Sequence, residues 1–374
     1  MTIVFFIDQF YMHGGIERVL SIKANYLAND ANNTIHIVTT EQKNNKSCYE
    51  FNAAIKFSDL AINYHRNKSY FHPKNLIKLP QHIYKSKRIL KKIKPDIVVV
   101  CSHSTDTYFI PFILKDIPKI KEFHYSKSIE IDKRLNPRNK IKRCFLKFAD
   151  YVESKYDKLV VLNKDEQKYY KSQNTTIIPN PLTFCPKDKA KFENKIVIAA
   201  GRIAQVKGFD LLIDIWDLVA TKNRNWQLHI YGDGQQDYIN FLQQKIDDKN
   251  LGDVIKLQGA TSNIQDKMLN SSLYAMTSHN ECFPLVLLEA QACGLPIIAF
   301  DCPHGPRNII SEKNGVLIEL YNKEQYAKKL TNLFSNEESL KKMGKYAKKN
   351  TKGYTVEVIM DKWKNLFNEL IKIG

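Results

Sequence analysis

Several things this 374-residue sequence lacks narrow what it can be. Its seven cysteines, Cys48, Cys101, Cys144, Cys185, Cys282, Cys293 and Cys302, form no C-x-x-C pair. An odd, scattered set excludes a disulfide framework and a zinc knuckle and suits a reducing cytoplasm. None of them lies near a histidine in a recognisable nucleophile context, so cysteine catalysis is not expected. No apolar run approaches the roughly 18 residues of a membrane span. The opening "MTIVFFIDQF" has neither a basic leader nor a small-residue cleavage site, and it is expected to be a first buried strand rather than a signal peptide. There is no G-x-G-x-x-G and no Walker loop, which argues against a nicotinamide-dinucleotide or P-loop site. D-x-D is missing too, so no metal clamped by paired aspartates is expected.

What is present is a basic chain of uneven charge. Residues 1–180 carry 31 Lys/Arg against 17 Asp/Glu, whereas residues 181–374 carry 26 against 22, in a total of +18. The first half is therefore the one shaped to meet something acidic. Anionic membrane and nucleic acid both fit such a surface. The second is disfavoured because the chain lacks a zinc site, an aromatic RNA-binding signature and a plain helix-turn-helix.

The length implies two domains. Short apolar runs alternate with longer amphipathic ones, the pattern of parallel sheets flanked by helices. In the first half "TIVFFI", "TIHIVT", "DIVVVC", "IPKIKEF" and "KLVVL" read as strands; in the second, "KIVIAAG", "WQLHIYG", "VIKLQG", "SLYAMTS" and "PIIAFD" do. A Pro-, Asn- and Lys-rich break over residues 174–194 marks a boundary and hinge, with Asn180 and Pro181 within it. The expected organisation is a doubly wound domain over 1–180, a second over 181–353, and a terminal amphipathic helix within 354–374 that packs back toward the first. Val356, Met360, Trp363, Leu366, Phe367 and Leu370 form that helix's apolar side. Two such domains in tandem leave a ligand cleft between the carboxyl ends of their sheets.

The chemistry concentrates after strands. In "SHNECFPLVLLEAQACGLPII", a helix with Pro284 at its first position would leave N–H groups of Phe283, Leu285 and Val286 as an anion site. Glu281 lies just before that site and Glu289 about 7 Å inside the helix at 1.5 Å per residue. Carboxylates repel phosphate, so their expected task is to accept hydrogen bonds from flanking hydroxyls. The plainer reading is a capping Glu281 and a surface Glu289. A second anion site follows "KIVIAAG", where Arg202 and Lys207 precede a helix and could grip a diphosphate. A third glycine-rich turn, "MHGGIERV", places Gly14 and Gly15 where backbone can approach a ligand closely.

The elements "GGIERV", "IPNPL", "GRIAQVKGFDLLIDIW" and "ECFPLVLLEAQACGLPIIAFDCPHGP" resemble retaining glycosyltransferases of family 4, the glycosyl transferases group 1, with the GT-B fold: two Rossmann-like domains facing across a cleft. The resemblance runs through nearly the whole chain and is densest over residues 197–310. It implies an acceptor-binding first domain and a donor-binding second one. Arg202 and Lys207 would bind the diphosphate of a nucleotide sugar. Glu281 would touch the donor sugar, with Cys282, Phe283, Pro284, Leu285 and Val286 beside sugar and phosphate, and Glu289 would hold the ribose. Gly14 and Gly15 would close over the diphosphate, and His124 would lie by the transferred sugar. Gln258 and Gly259 are expected near the base. Asn308 stands where relatives often have an acid, and Tyr125 where they have a small polar residue.

The implied reaction moves a hexose or N-acetylhexosamine from a nucleotide sugar, UDP-linked before GDP-linked, with retention, without metal or other cofactor, to a glycan or lipid-linked acceptor in bacterial surface polysaccharide or glycolipid synthesis. Arg202, Lys207 and the helix start would take up charge on the leaving diphosphate. A nucleotide-sugar hydrolase or epimerase of the same fold is the alternative. A basic patch of Lys85, Lys87, Arg88, Lys91, Lys92 and Lys94 on one helix, and of Arg138, Lys142 and Arg143 on another, is expected to meet anionic lipid or a diphosphate-linked acceptor. The first helix would turn Ile83, Ile89, Leu90 and Ile93 inward and the second Ile141, Cys144, Phe145 and Phe148. That places the protein in the cytoplasm, peripheral on the inner membrane face.

Overall fold

The structure is a computed structural model and describes residues 1–130 and 140–373. Two compact units account for the chain: Met1–Pro181 with Val356–Gly374, and Leu182–Thr355.

The first unit is built on seven strands, β1 (Thr2–Ile7), β2 (Thr34–Thr39), β3 (Lys56–Asp59), β4 (Ile97–Val100), β5 (Lys119–Glu122), β6 (Lys158–Val161) and β7 (Thr175–Ile177). They lie in the order β3-β2-β1-β4-β5-β6-β7, every neighbouring pair parallel. β1 is buried on both faces, as a central parallel strand must be. Its Ile3, Phe5 and Ile7 face one apolar core while Val4 and Phe6 face another. Long helices in this unit are α1 (Gly15–Ala28), α2 (Leu79–Ile93) and α3 (Lys140–Glu153). The first of the two cores is completed by the terminal helix Val356–Ile373, whose Met360, Trp363, Leu366, Phe367 and Leu370 are buried against β1 and α1.

The second unit has six strands: β8 (Ile196–Ala200), β9 (Gln227–Tyr231), β10 (Ile255–Gly259), β11 (Leu273–Met276), β12 (Ile297–Phe300) and β13 (Gly315–Ile318). Their order is β10-β9-β8-β11-β12-β13, again all parallel. The helices α4 (Phe209–Ala220), α5 (Gln236–Asp248), α6 (Leu285–Ala292), α7 (Lys323–Phe334) and α8 (Glu337–Asn350) surround it; the terminal helix is then α9. Strand order reverses between β8 and β11 here, and between β1 and β4 in the first unit. Open parallel sheets bind ligands at the carboxyl ends of strands where the order reverses. The residues following β8 and β11 are therefore the ones to inspect.

Candidate functional site

β8 ends at Ala200, and Tyr274 on β11 fixes that end: its hydroxyl accepts from the Ala200 N–H at 3.2 Å and donates to the Ala200 carbonyl at 2.9 Å. The chain then runs through Gly201 and Arg202 to a single 3₁₀ turn over Gln205–Lys207 and reverses at Gly208. Gly208 holds φ +61°, and a Cβ there would stand 2.2 Å from the Thr277 carbonyl oxygen. Only glycine fits both demands. Thr277, just past β11, returns the contact by donating its hydroxyl to the Gly208 carbonyl at 2.8 Å. The loops after β8 and β11 are thus locked together, and His279 N–H adds a bond to the Val206 carbonyl at 2.9 Å.

That lock brings Lys207 to Glu281. Lys207 Nζ lies 2.6 Å from Glu281 Oε1, and Ser278 Oγ donates to the same oxygen at 2.8 Å. The backbone of Glu281 is held from its other side, where the N–H groups of His304 and Gly305 donate to its carbonyl at 2.9 and 2.8 Å. Asn308, the departure noted in the sequence, donates its side-chain amide to the His304 carbonyl at 2.7 Å and so props this second loop. Lys207, Ser278, Glu281 and Val286 line one narrow hollow at the carboxyl end of the sheet, with Tyr274 and Thr277 behind them. Arg202 is exposed on the β8 loop and has no hydrogen-bond or ion-pair partner among the described residues.

The helix start differs by one residue from expectation. Pro284 is the N-cap of α6, in extended conformation, and the first helical residue is Leu285. Pro284 offers no side-chain cap, and Glu281 is engaged instead with Lys207 and Ser278. Of the leading N–H groups of α6, that of Leu287 donates to the Pro284 carbonyl at 3.1 Å, and those of Leu285 and Val286 are left without an intrahelical acceptor, as at any helix start. Cys282 and Phe283 are buried in the approach to it. Glu289 is not a surface residue: it is only 4% exposed, and Thr183 Oγ1 donates to its Oε1 at 2.6 Å. It does not line the hollow that Lys207 and Glu281 share. Gln258 and Gly259 are exposed at the end of β10, the edge strand two places from β8, with Gly259 at φ +70°.

In the first unit, Gly14 is the N-cap of α1 and Gly15 its first residue. Tyr49 brackets this turn, its hydroxyl bonded to both N–H and C=O of Gly14 at 3.3 and 3.0 Å. His124 follows β5, with Nε2 3.0 Å from Glu122 Oε2. Glu122 is itself buried and paired with Lys23, whose ammonium lies 4.3 Å from the Trp363 ring centre. Burial alone would raise the Glu122 carboxyl, but Lys23 and His124 together hold it well below the usual carboxylate range. Burial keeps the His124 imidazole below its ordinary value although Glu122 pulls the other way. A neutral ring donating Nε2–H to Glu122 leaves Nδ1 as acceptor.

The basic patch is corrected in part. On α2, Lys87, Arg88, Lys91, Lys92 and Lys94 are exposed, but Lys85 is half-buried and donates its ammonium to the Leu60 carbonyl at 2.6 Å. His82 and Ser86 are buried with Leu90 on the inner face. On α3, Cys144 and Phe148 are exposed rather than inward, and Ala149 and Val152 take the buried line with Phe145 half-covered. Arg143 is exposed and Lys142 half-exposed; Arg138 lies outside the described residues, as does the Ile141 side chain. No helix among the described residues is long and apolar enough to cross a membrane. Nor does any group of three or more His, Cys, Asp or Glu residues among them stand ready to share an ion.

Ser278, Thr277, Thr183 and Tyr274 complete the site without having been singled out in the sequence. Ser278 lies three residues before Glu281, a spacing that could have drawn notice. Thr183, 106 residues from Glu289, carried no such signal.

Two parallel-sheet units with polar loops at the reversal point define the GT-B class of α/β fold. Residues 185–350 match the family model described as glycosyl transferases group 1, so the chain carries a domain of that kind. An uncharacterized glycosyltransferase of Haemophilus influenzae is 29% identical over 371 residues, covering 97% of this chain and 98% of that one. The poly(ribitol-phosphate) alpha-N-acetylglucosaminyltransferase of Staphylococcus aureus is 36% identical over 176 residues, or 46% of this chain and 35% of its own. Among solved structures, a mutant of S. aureus TarM in complex with fondaparinux, alpha-GlcNAc-glycerol and UDP superimposes with a TM-score of 0.75 at 19% identity, covering 98% of this chain and 99% of that one.

Proposed function

We propose that the protein is a retaining glycosyltransferase that needs no metal and moves a hexose or N-acetylhexosamine from a UDP-sugar to a glycan or lipid-linked acceptor in bacterial surface polysaccharide or glycolipid synthesis. The observation that carries the reading is the convergence of Lys207, Ser278 and Glu281 on one hollow that Val286, in the first turn of α6, also lines.

As the bond from the anomeric carbon to the diphosphate stretches, negative charge grows on the leaving oxygens. Arg202, Lys207 and the N–H groups that open α6 answer it, and of these Lys207 and the helix N–H groups do so from fixed positions, the arrangement that gives electrostatic catalysis its largest effect. Glu281, held by Ser278 and Lys207, accepts from hydroxyls of the donor sugar; Glu289, held by Thr183, accepts from the ribose. The acceptor hydroxyl attacks the oxocarbenium-like sugar from the face the diphosphate leaves, and passes its proton to the departing phosphate oxygen. No side chain serves as nucleophile. His124, Gly14, Gly15, Gln258 and Gly259 keep the roles the family resemblance gives them. The cations of α2 and α3 are assigned to an anionic membrane surface on the cytoplasmic side.

Calorimetry with UDP, followed by product analysis with UDP-glucose and UDP-N-acetylglucosamine, tests the reading. A transferase binds UDP and releases it slowly from donor alone; rapid release of free sugar would make the protein a hydrolase instead.

A further inference from the structure

Lys23, Cys101 and Glu122 meet inside the first unit, carried there by three different elements: Lys23 by α1, Cys101 by the residue just past β4, and Glu122 by the last residue of β5. None is more than 2% exposed. Glu122 Oε1 takes the Lys23 ammonium and, at 3.3 Å, the Cys101 thiol. Burial and the Glu122 charge push that thiol well above its ordinary range, so it stays an S–H donor. The Lys23 ammonium lies over the Phe5 and Trp363 rings as well, 5.7 and 4.3 Å from their centres. The second oxygen, Oε2, is left for His124 Nε2.

Stability gives little reason for this arrangement. A buried ion pair gives up hydration on both partners, and apolar residues of similar volume often serve a fold as well or better. Phe5, Cys101 and Trp363 around it belong to an apolar core that such residues would suit. What the pair supplies, and an apolar one would not, is an ionised carboxylate facing His124. A carboxylate in that form only accepts, so the hydrogen between the two groups belongs to Nε2. Burial and the Lys23 and Lys121 ammoniums disfavour a charge on the ring, which leaves Nδ1 without a proton. No group among the described residues donates to Nδ1, and 5% of the side chain is exposed.

We infer that Glu122 and Lys23 are positioning residues for His124: the pair fixes an acceptor at Nε2, locks the ring in its neutral Nε2–H form, and so presents the Nδ1 lone pair to a hydroxyl of the bound sugar. The inference rests on the transferase reading, which puts a sugar beside His124, and it adds the two residues that decide what the ring can do there. A ring held in this way accepts from a hydroxyl. An imidazolium would donate from both nitrogens and favour a phosphate instead.

Nitrogen-15 spectra of the full chain near neutral pH read the ring directly, with His124 assigned by its loss in His124→Gln. The wild-type ring should be Nε2–H alone. Lys23→Met combined with Glu122→Leu removes both charges and leaves neither partner buried alone. This double variant should melt close to wild type, show His124 averaged between its two neutral tautomers, and lose about tenfold in kcat/KM for the UDP-sugar, the worth of one hydrogen bond. A pair that only held the fold together would leave the spectrum and the rate of a folded double variant unchanged, and that result overturns the inference. A wild-type ring that is charged, or that carries its proton on Nδ1, overturns it too; this reading needs no variant and decides the matter if the double variant fails to fold. If the spectra come out as stated but the wild type neither binds UDP nor turns over a UDP-sugar, the hold on the ring stands and the transferase reading falls. A working transferase with the other tautomer removes the positioning role alone.

Discussion

Lys207 and Glu281 share an ion pair of 2.6 Å although 74 residues separate them, and the oxygen they share also takes the Ser278 hydroxyl. An ammonium engaged in this way must divide itself between the carboxylate and an incoming diphosphate. Removing the carboxylate charge therefore frees the cation. Glu281→Gln should bind UDP more tightly than wild type while transferring sugar at least tenfold more slowly, and Lys207→Ala should lose at least tenfold in kcat/KM, about 1.4 kcal/mol. Calorimetry and steady-state rates check both; weaker UDP binding by the glutamine variant would show that the pair does not compete with the ligand.

Glu289 is buried at the fifth position of α6 with Thr183 donating to it. Its assignment to the ribose predicts a preference that a merely structural carboxylate would not create. Wild-type protein should bind UDP better than 2′-deoxy-UDP, and Glu289→Gln should narrow that ratio to near unity with little change in melting temperature. Glu289→Ala should in addition lose about 1–3 kcal/mol of stability, because the Thr183 hydroxyl is left without this acceptor.

How far the sequence discloses these features depends on the range of the interaction. The central strands β1, β2, β4, β6, β8, β9, β11 and β12 declare themselves through mostly apolar runs, because a parallel strand covered on both faces needs them. Edge strands do not: "KFSD" in β3 is mostly exposed, and β7 and β13 are three and four residues long. β7 even falls inside the Pro- and Asn-rich stretch read as a boundary. The α3 face was misjudged because Cys144 and Phe148 are apolar by type yet exposed. Within the site, Lys207 and Glu281 were legible as charged residues after strands, but their pairing was not, since it depends on the β8 and β11 loops meeting through Gly208 and Thr277. Buried Lys119, Lys121 and Glu122 on β5 are likewise invisible to periodicity. Each is satisfied all the same: Lys119 by the nearby Leu114 and Ile117 carbonyls, Lys121 by the more distant ones of Val100 and Ser102, and Glu122 by Lys23.

Gly208 ties that loop junction to catalysis. Alanine at this position would adopt a left-handed φ and place its Cβ 2.2 Å from a backbone oxygen that cannot easily retreat. Gly208→Ala should lower stability by more than about 1 kcal/mol and weaken UDP binding by displacing Lys207. Thr277→Val removes only the hydroxyl that donates to the Gly208 carbonyl. It should show the same two effects in milder form. Urea unfolding and calorimetry on both variants check this, and a stable alanine variant with native UDP affinity would separate the loop from the site.

The cations of α2 offer a direct assay of membrane attachment. Lys87, Arg88, Lys91 and Lys92 are exposed together on one helix. If they meet lipid, the protein should float with phosphatidylglycerol vesicles at low salt and not with phosphatidylcholine ones, since each basic residue near an anionic surface contributes about 1 kcal/mol. Changing the four to Gln should abolish flotation and spare UDP binding. Flotation without regard to lipid charge, or unaffected by the fourfold change, would assign these residues to simple solvation.

The pH dependence of folding should carry the mark of His82. This ring is fully buried on α2 between the Tyr64 and Thr105 hydroxyls, 3.0 and 3.1 Å from its Nδ1, and burial pushes its pKa down to about 4, with Asp106 opposing. An unfolded histidine titrates near 6.5. Between those values the unfolded chain binds a proton that the folded chain refuses, so stability falls as pH falls from about 6.5 to about 4, and the full difference is on the order of 3 kcal/mol. Burial depresses His103 and His124 as well, which steepens the fall. Asp8 acts in the opposite sense: burial and the neighbouring Asp106 raise it to about 7, so the folded state gains a proton there before the unfolded one does. The net slope is a difference of such contributions, and the cleaner readout is a comparison of variants. His82→Asn should reduce the dependence of unfolding free energy on pH by close to one proton between pH 4.5 and 6, whatever the other groups contribute, and urea titrations across that range measure it. An unchanged slope would mean that the ring accepts a proton in place, with the Tyr64 and Thr105 hydroxyls turning to receive it.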